Sequence, residues 1–280
     1  MENKLTHKLR LPSEIPLEKW PSISAFIEEA KACVKEAEEQ DITLRVMGGP
    51  SIYIHICTHG KEYLQLWEKL GRLGKKKFGD IDFVSYGKSR GKVVKFFENR
   101  GYIIDRRMLY RFGKKRHIYI GKKFPMVDVF FDTIDMCHLI NFKKRLEVDY
   151  PTIPLAELIL HKVQVVKMNE KDITDLIVLI RAHDVGETDE ETINAKYIAK
   201  LLSNDWGFYY TATTNLKKVK DSLGNYTALT KDNKEMVKKR IDKLIDYIEK
   251  EPKSVRWKLR AKIGTRTKWY NEVEEWDVLP

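Results

Sequence analysis

The chain reads as an α/β (α+β) protein. A small mixed β-sheet with an N-terminal helix is predicted over residues 1–150, and a mainly helical part ending in a basic, aromatic tail over 151–280. Three observations predict this. Short stretches of period-two alternation, ITLRV, GDIDF and MVDVFF, fall between residues 42 and 132 with helical patterns between them. After Pro151 the apolar residues take up helical spacing. Hydrophobic residues make up 42% and charged residues 33% of the 280, the balance of a folded chain with room for two modest domains.

In chain order, residues 22–40 predict an amphipathic helix, with Ile23, Phe26, Ile27, Ala30, Cys33 and Val34 at helical spacing. In ITLRVMGGPSIYIHI, Ile42, Leu44 and Val46 alternate as a strand, Gly48 and Gly49 form a tight turn, and a helix begins at Ser51–Cys57. A strand that passes through two glycines into a helix brings backbone N–H groups to one point, where an anion is favoured. The same glycines also suit an ordinary strand-to-helix turn, and the pattern by itself leaves both readings open. Between His59 and Phe78, EYLQLWEKL gives a helical core. The cations Arg72, Lys75, Lys76 and Lys77 follow it, either to help hold phosphate or to stay solvated.

The stretch KKFGDIDFV, Lys76 to Val84, organises the rest. As a strand it buries Ile81 and Phe83 on one face and presents Asp80 and Asp82 on the other. Two carboxylates aimed the same way repel, and a divalent cation relieves the repulsion; a solvated edge is the alternative. Arg90 to Arg100 predicts a helix closed by Gly101. From Tyr102 to Asp132 the segments YII, MLYRF, RHIYI and MVDVFF predict strands. In the last of them Val127, Val129 and Phe131 share a face, which leaves Asp128 on the other with Phe130 and Asp132. An acid in the middle of an apolar strand is costly unless something compensates it, so Asp128 is the natural third carboxylate.

Pro154 suits the start of a helix whose apolar stripe is Leu155, Leu158, Ile159, Val163 and Val166. Lys162 lies on or beside that stripe, either snorkelling to water or aiming its ammonium at an anion. The next helix, KDITDLIVLIR, puts Asp172 and Asp175 on one flank, as a cap or as surface charge. A further helix is predicted at about 232–250. Between Pro252 and Asn271 the chain carries Lys253, Arg256, Lys258, Arg260, Lys262, Arg266 and Lys268 with no acid, interleaved with Trp257, Trp269 and Tyr270. That composition suits RNA or single strands, and equally a basic helix anchored to the body by its tryptophans.

A net charge of +11 and a pI of about 9.3 favour polyanionic partners. The three cysteines, Cys33, Cys57 and Cys137, form no C-x-x-C pair and read as reduced thiols; no second ligand cluster completes a zinc site at DTIDMCH. The first residues lack the apolar core of a signal peptide and no later run reaches membrane-spanning length, so a cytoplasmic protein with no membrane partner is expected.

Gly48-Gly49-x-Ser51, Asp80-x-Asp82 and Asp128 on a later strand resemble the active-site pattern of the DNA polymerase β-type nucleotidyltransferase superfamily. With Lys162 in ELILHKVQ and Asp172 and Asp175 in KDITD, the chain is similar over roughly 44–181 to the AbiEii/MenT-like branch, which includes toxins of toxin–antitoxin systems. The resemblance implies that Gly48, Gly49 and Ser51 hold a triphosphate, and that Asp80, Asp82 and Asp128 hold magnesium or manganese. It also implies that Asp128 aligns or deprotonates the acceptor, that Lys162 meets phosphate, and that Asp172 or Asp175 orients the lysine or the substrate. The implied activity is transfer of NMP from an NTP to a hydroxyl of RNA, protein or a small molecule. RNA would engage segment 253–270, and a toxin of this branch would have a separate antitoxin. The alternative is a noncatalytic nucleic-acid- or protein-binding module. The interval from Gly49 to Asp80 is longer than usual for the family, as an insertion around Glu62–Lys77 would make it.

Overall fold

The computed structural model describes residues 15–72, 78–121 and 124–272. Lys75, Lys76 and Lys77 of the cationic run lie outside the described residues. Helix α1 (Ile23–Glu38) opens where Ser22 Oγ accepts the Ala25 N–H at 3.2 Å, and it buries the apolar face read from the sequence. Strand β1 (Leu44–Met47) is buried on both faces and runs straight into α2 (Gly48–Cys57), so the helix starts three residues before the predicted Ser51. Then come α3 (Lys61–Lys69), β2 (Ile81–Ser85) and α4 (Arg90–Asn99), with Gly101 at φ 82° closing α4 as predicted.

Strand β3 (Ile103–Ile104) leads into α5 (Arg106–Phe112), so the predicted strand MLYRF is a helix instead. Asp105 decides it. Its Oδ1 accepts the Arg107 N–H and its carbonyl accepts the Leu109 N–H, both at 2.9 Å, which is how a capping residue nucleates a turn. An apolar run this short fits either period. Strands β4 (Arg116–Ile120), β5 (Val127–Phe131), β6 (Thr133–Asp135) and β7 (Leu139–Asn141) follow.

Helices α6 (Leu155–Val163) and α7 (Glu170–Ala182) come next, then the short strands β8 (Asp184–Gly186) and β9 (Thr192–Asn194). The chain continues through α8 (Ala195–Leu202), α9 (Trp206–Ser222), α10 (Lys231–Lys250) and α11 (Val255–Ile263). Among the described residues no helix is long and apolar enough to cross a membrane.

The main sheet is five-stranded, in the order β1-β2-β5-β4-β3. Only β2 and β5 run parallel; the other neighbours are antiparallel, which makes the sheet mixed and the fold α+β. On the outer side of β1, the Val46 N–H donates to Pro151 O at 2.9 Å and Val46 O accepts the Ile153 N–H at 3.0 Å. This clip lays the entry to α6 along the sheet edge. Helix α7 packs on α2, α3 and α6, and buried residues from the sheet (Phe83, Val129) and from the later helices (Ile159, Leu179, Leu216) belong to one contiguous core.

Candidate functional site

The parallel register of β2 on β5 sets Asp82 directly beside Asp128. Asp80 precedes Asp82 by two residues and so falls on the same side. One oxygen from each of the three carboxylates lies within 4.8 Å of the others. The intervening residues Ile81, Phe83, Val127 and Val129 are fully buried, so the apolar half of the alternation fixes where the acidic half points. Asp128 is 2% exposed, while Asp80 and Asp82 keep some solvent contact.

The cluster carries the electrostatic signature of buried, crowded acids. Burial, and then Asp128, push Asp80 up to about 6. Burial, followed by Asp80 and Asp128, raises Asp82 well above the usual carboxylate range. Burial raises Asp128 as well, against the lowering effect of Arg116, whose Nη2 donates to Asp128 Oδ2. Asp128 Oδ1 is buried with no hydrogen-bond partner. A set of hard oxygens in mutual repulsion, one of them lacking any partner, could hold a metal ion that favours oxygen ligands.

The start of α2 closes against this cluster. Met47 pairs with Asp82 across β1 and β2, and the next residue, Gly48, sits at φ 68°. A Cβ on Gly48 would stand 2.5 Å from Asp82 Oδ2; one on Gly49 would stand 3.1 Å from the Phe78 ring and 3.2 Å from Arg72 Nη2. The glycine pair is therefore required by close approach to the site as well as by the turn. Ser51, one turn into α2, is fully buried, and its Oγ has no hydrogen-bond partner. Gly48→Ala is expected to cost about 1–2 kcal/mol from the left-handed backbone alone and to weaken magnesium binding by displacing Asp82. Calorimetry with and without magnesium checks this; an unchanged melting temperature together with unchanged affinity would contradict it.

Lys162 on α6 does not extend freely into the cleft. Its Nζ lies 3.1 Å from Asp172 Oδ1 and 2.8 Å from Asp175 Oδ2. Burial favours its neutral form, but Asp175 and Asp172 outweigh burial, so the ammonium is held charged. Asp172 also closes the capping box of α7, accepting the Asn169 N–H at 3.4 Å while Asn169 Oδ1 accepts its own N–H at 3.1 Å. Asp175 is fully buried, and its Oδ1 accepts from Trp67 Nε1 at 2.9 Å and from Arg72 Nε at 2.8 Å. Neither acid is a solvated surface charge; both anchor the lysine. Arg116, Arg72 and Lys162 all act to lower Asp80, so their charges reach the carboxylate cluster.

A cleft of about 610 Å³ opens over the aspartates, its walls including Arg116, Phe112, Phe130 and His161. Burial, then Lys162, push His161 down to about 4, which leaves its ring neutral. The sequence reading missed Arg116, His161 and Trp67. It also placed Arg72 in a cationic run without seeing its bond to Asp175. The segment taken for an insertion carries α3 with Trp67, and then Arg72, so it forms part of the site's support.

In the tail, the aromatic rings serve mainly as anchors. Trp257 packs edge-on against Tyr209 at 5.1 Å, Trp269 Nε1 donates to Thr211 Oγ1 at 3.1 Å, and Arg260 lies 4.8 Å over the Trp206 ring. Arg256, Lys258, Lys262, Arg266 and Lys268 are exposed; Arg256 and Lys268 line a groove of about 580 Å³, and Asn271 borders both this groove and the aspartate cleft. Comparison of the chain with protein-family models, with curated proteins and with solved structures finds no match.

Proposed function

We propose that the chain is a metal-dependent nucleotidyltransferase that moves a nucleoside monophosphate from an NTP to a hydroxyl acceptor and releases pyrophosphate. The observation that carries this reading is the convergence of Asp80, Asp82 and Asp128 beside the glycine-led start of α2. The three carboxylates would hold magnesium or manganese, which when bound supplies charge neutralisation on the triphosphate and acidifies the acceptor hydroxyl.

The chain's own groups do the rest. The first N–H groups of α2 at Gly48 and Gly49 receive phosphate oxygens. Lys162, pinned by Asp172 and Asp175, offers a fixed positive charge whose field reaches the aspartates. The Asp128 carboxylate, beside Asp82, aligns the acceptor hydroxyl or takes its proton as the new oxygen–phosphorus bond forms. The bond from the α-phosphorus to the bridging oxygen breaks in the same displacement, and pyrophosphate leaves with that electron pair. Arg256 and Lys268, exposed in the groove that Asn271 borders, favour RNA as the acceptor.

Incubating the purified chain with each α-labelled NTP, magnesium or manganese, and total RNA tests the proposal. Label is expected in RNA, in the chain itself or in a small hydroxyl compound, and is expected to vanish with Asp82→Asn. No label with any acceptor, and no thermal shift with any nucleotide and magnesium, would favour the noncatalytic binding module.

A further inference from the structure

A second cluster of ligand-type side chains lies away from the aspartates. Helices α2 and α7 lie side by side with their first turns at the candidate site, where Gly48 leads α2 and Asp172 and Asp175 lie early in α7. At their other ends stand His59, two residues beyond α2, and His183, the residue that caps α7. Glu191, immediately before β9, joins them, and one ligand atom from each of the three lies within 4.8 Å of the others. We infer that His59, His183 and Glu191 form a second metal site, selective for a zinc-class transition ion, which clasps the far ends of α2 and α7 to the β8–β9 connection.

The distances suit such an ion. His59 Nε2 and His183 Nδ1 face each other at 3.2 Å; two nitrogens bound tetrahedrally at about 2.0–2.1 Å from zinc stand roughly 3.3 Å apart. A hydrogen bond between two neutral imidazoles accounts for that contact alone. A hydrogen bond between His183 and the Glu191 backbone brings that loop close, but neither bond directs the Glu191 carboxylate to the point shared by the two ring nitrogens; the φ of 51° at Glu191 is one that side-chain-bearing residues seldom adopt.

His55 stands behind the cluster, its ring 5.7 Å from His183, but its Nε2 already contacts Thr152 Oγ1 at 2.9 Å. That leaves two imidazoles, one carboxylate and an open fourth position for water or an outside ligand, a donor set typical of zinc. His183 is 1% exposed whereas Glu191 is at the surface, so the site has a fixed floor and an accessible rim.

The two sites sort metals by chemistry. The aspartate cluster offers only hard oxygens, which suit magnesium, whereas imidazole nitrogen selects ions of the zinc type. They are separated by the ten residues of α2, about 15 Å of helix. Fixing the far ends of α2 and α7 steadies the two helices whose first turns carry Gly48, against Asp82, and the Lys162 partners Asp172 and Asp175, so the second site acts as a clasp.

The test uses the full chain, stripped with chelator and then equilibrated with micromolar zinc in excess magnesium. One zinc per chain is expected by elemental analysis, with a rise of about 5 °C in melting temperature at zinc well above its dissociation constant. Cobalt in place of zinc is expected to give the visible absorption of a four-coordinate ion. His59→Ala and Glu191→Gln, both at positions with solvent contact, are expected to lose the thermal shift singly and the bound zinc together, while Asp82→Asn keeps both. Zinc retained by the double variant, or no zinc retained by the unaltered chain, would overturn the inference.

Discussion

Asp82→Asn is expected to have two opposite effects: transfer activity falls by at least about 10³-fold, while the metal-free protein becomes more stable. Both follow from the same crowding. Asp82 lies beside Asp128 in register and beside Gly48 at the head of α2, so the amide keeps the shape but loses one of the charges that grip the cation. In chelator that charge is a burden, since burial and the neighbouring acids hold Asp82 well above its usual range and Asp80 at about 6.

The sign of the pH dependence follows. A carboxyl raised in the folded state contributes stability that is fully present below its unfolded value near 3.8 and is lost as pH rises through about 6. At neutral pH Asp80 is past that point, and Asp82, raised in the same direction by burial, Asp80 and Asp128, adds to the cost. Scanning calorimetry in chelator at pH 7.5 should show Asp82→Asn melting about 2–6 °C above the unaltered chain. The gap should narrow as pH falls toward 5, and added magnesium should stabilise only the unaltered chain. A variant that melts lower than the unaltered chain in chelator would show that the aspartates are not in uncompensated repulsion.

Asp175→Ala is expected to produce the largest loss of stability. That carboxylate is wholly enclosed and receives Lys162, Arg72 and Trp67. Removing it leaves part-buried Arg72 without this partner and buried Lys162 with Asp172 alone, and breaking a buried pair from one side typically costs about 3–5 kcal/mol, which is roughly 5–9 °C for a chain of this size. Asp175→Asn, which still accepts from Trp67, should lose less. Lys162 retains Asp172 in either variant, so the damage should appear first as loosening of α3 against α7. Amide hydrogen exchange on Leu64–Lys69 would register it. A change below about 2 °C for Asp175→Ala would mean that solvent already screens the group.

The sequence carried much of the site because the site is built on strand alternation. Ile81, Phe83, Val127 and Val129 mark the buried face, so the aspartates between them had to share the other. The capped, amphipathic α1 and the glycine-closed α4 were legible for similar local reasons. What stayed hidden depended on which strands become neighbours. Nothing in RHIYI announces that Arg116 will reach Asp128, because that contact needs β4 to lie beside β5. Spacing on α7 leaves Asp175 open as a cap or a surface charge, because the partners that bury it sit more than a hundred residues earlier, on α3 and just after it. The helix α5 was misread because a single side chain, Asp105, rather than the apolar pattern, set its period.

The shared register of β2 and β5 makes the aspartate cluster intolerant of length change. Excising one residue from Ile81–Ser85 would rotate everything downstream of the cut by half a turn, exchanging an aspartate for a phenylalanine at the floor of the cleft and burying charge where oil belongs. Point substitutions can grade this centre up or down, but a frame-preserving codon loss inside either strand would erase it, so libraries aimed at new specificity should vary the cleft's walls and leave those ten codons at their present count.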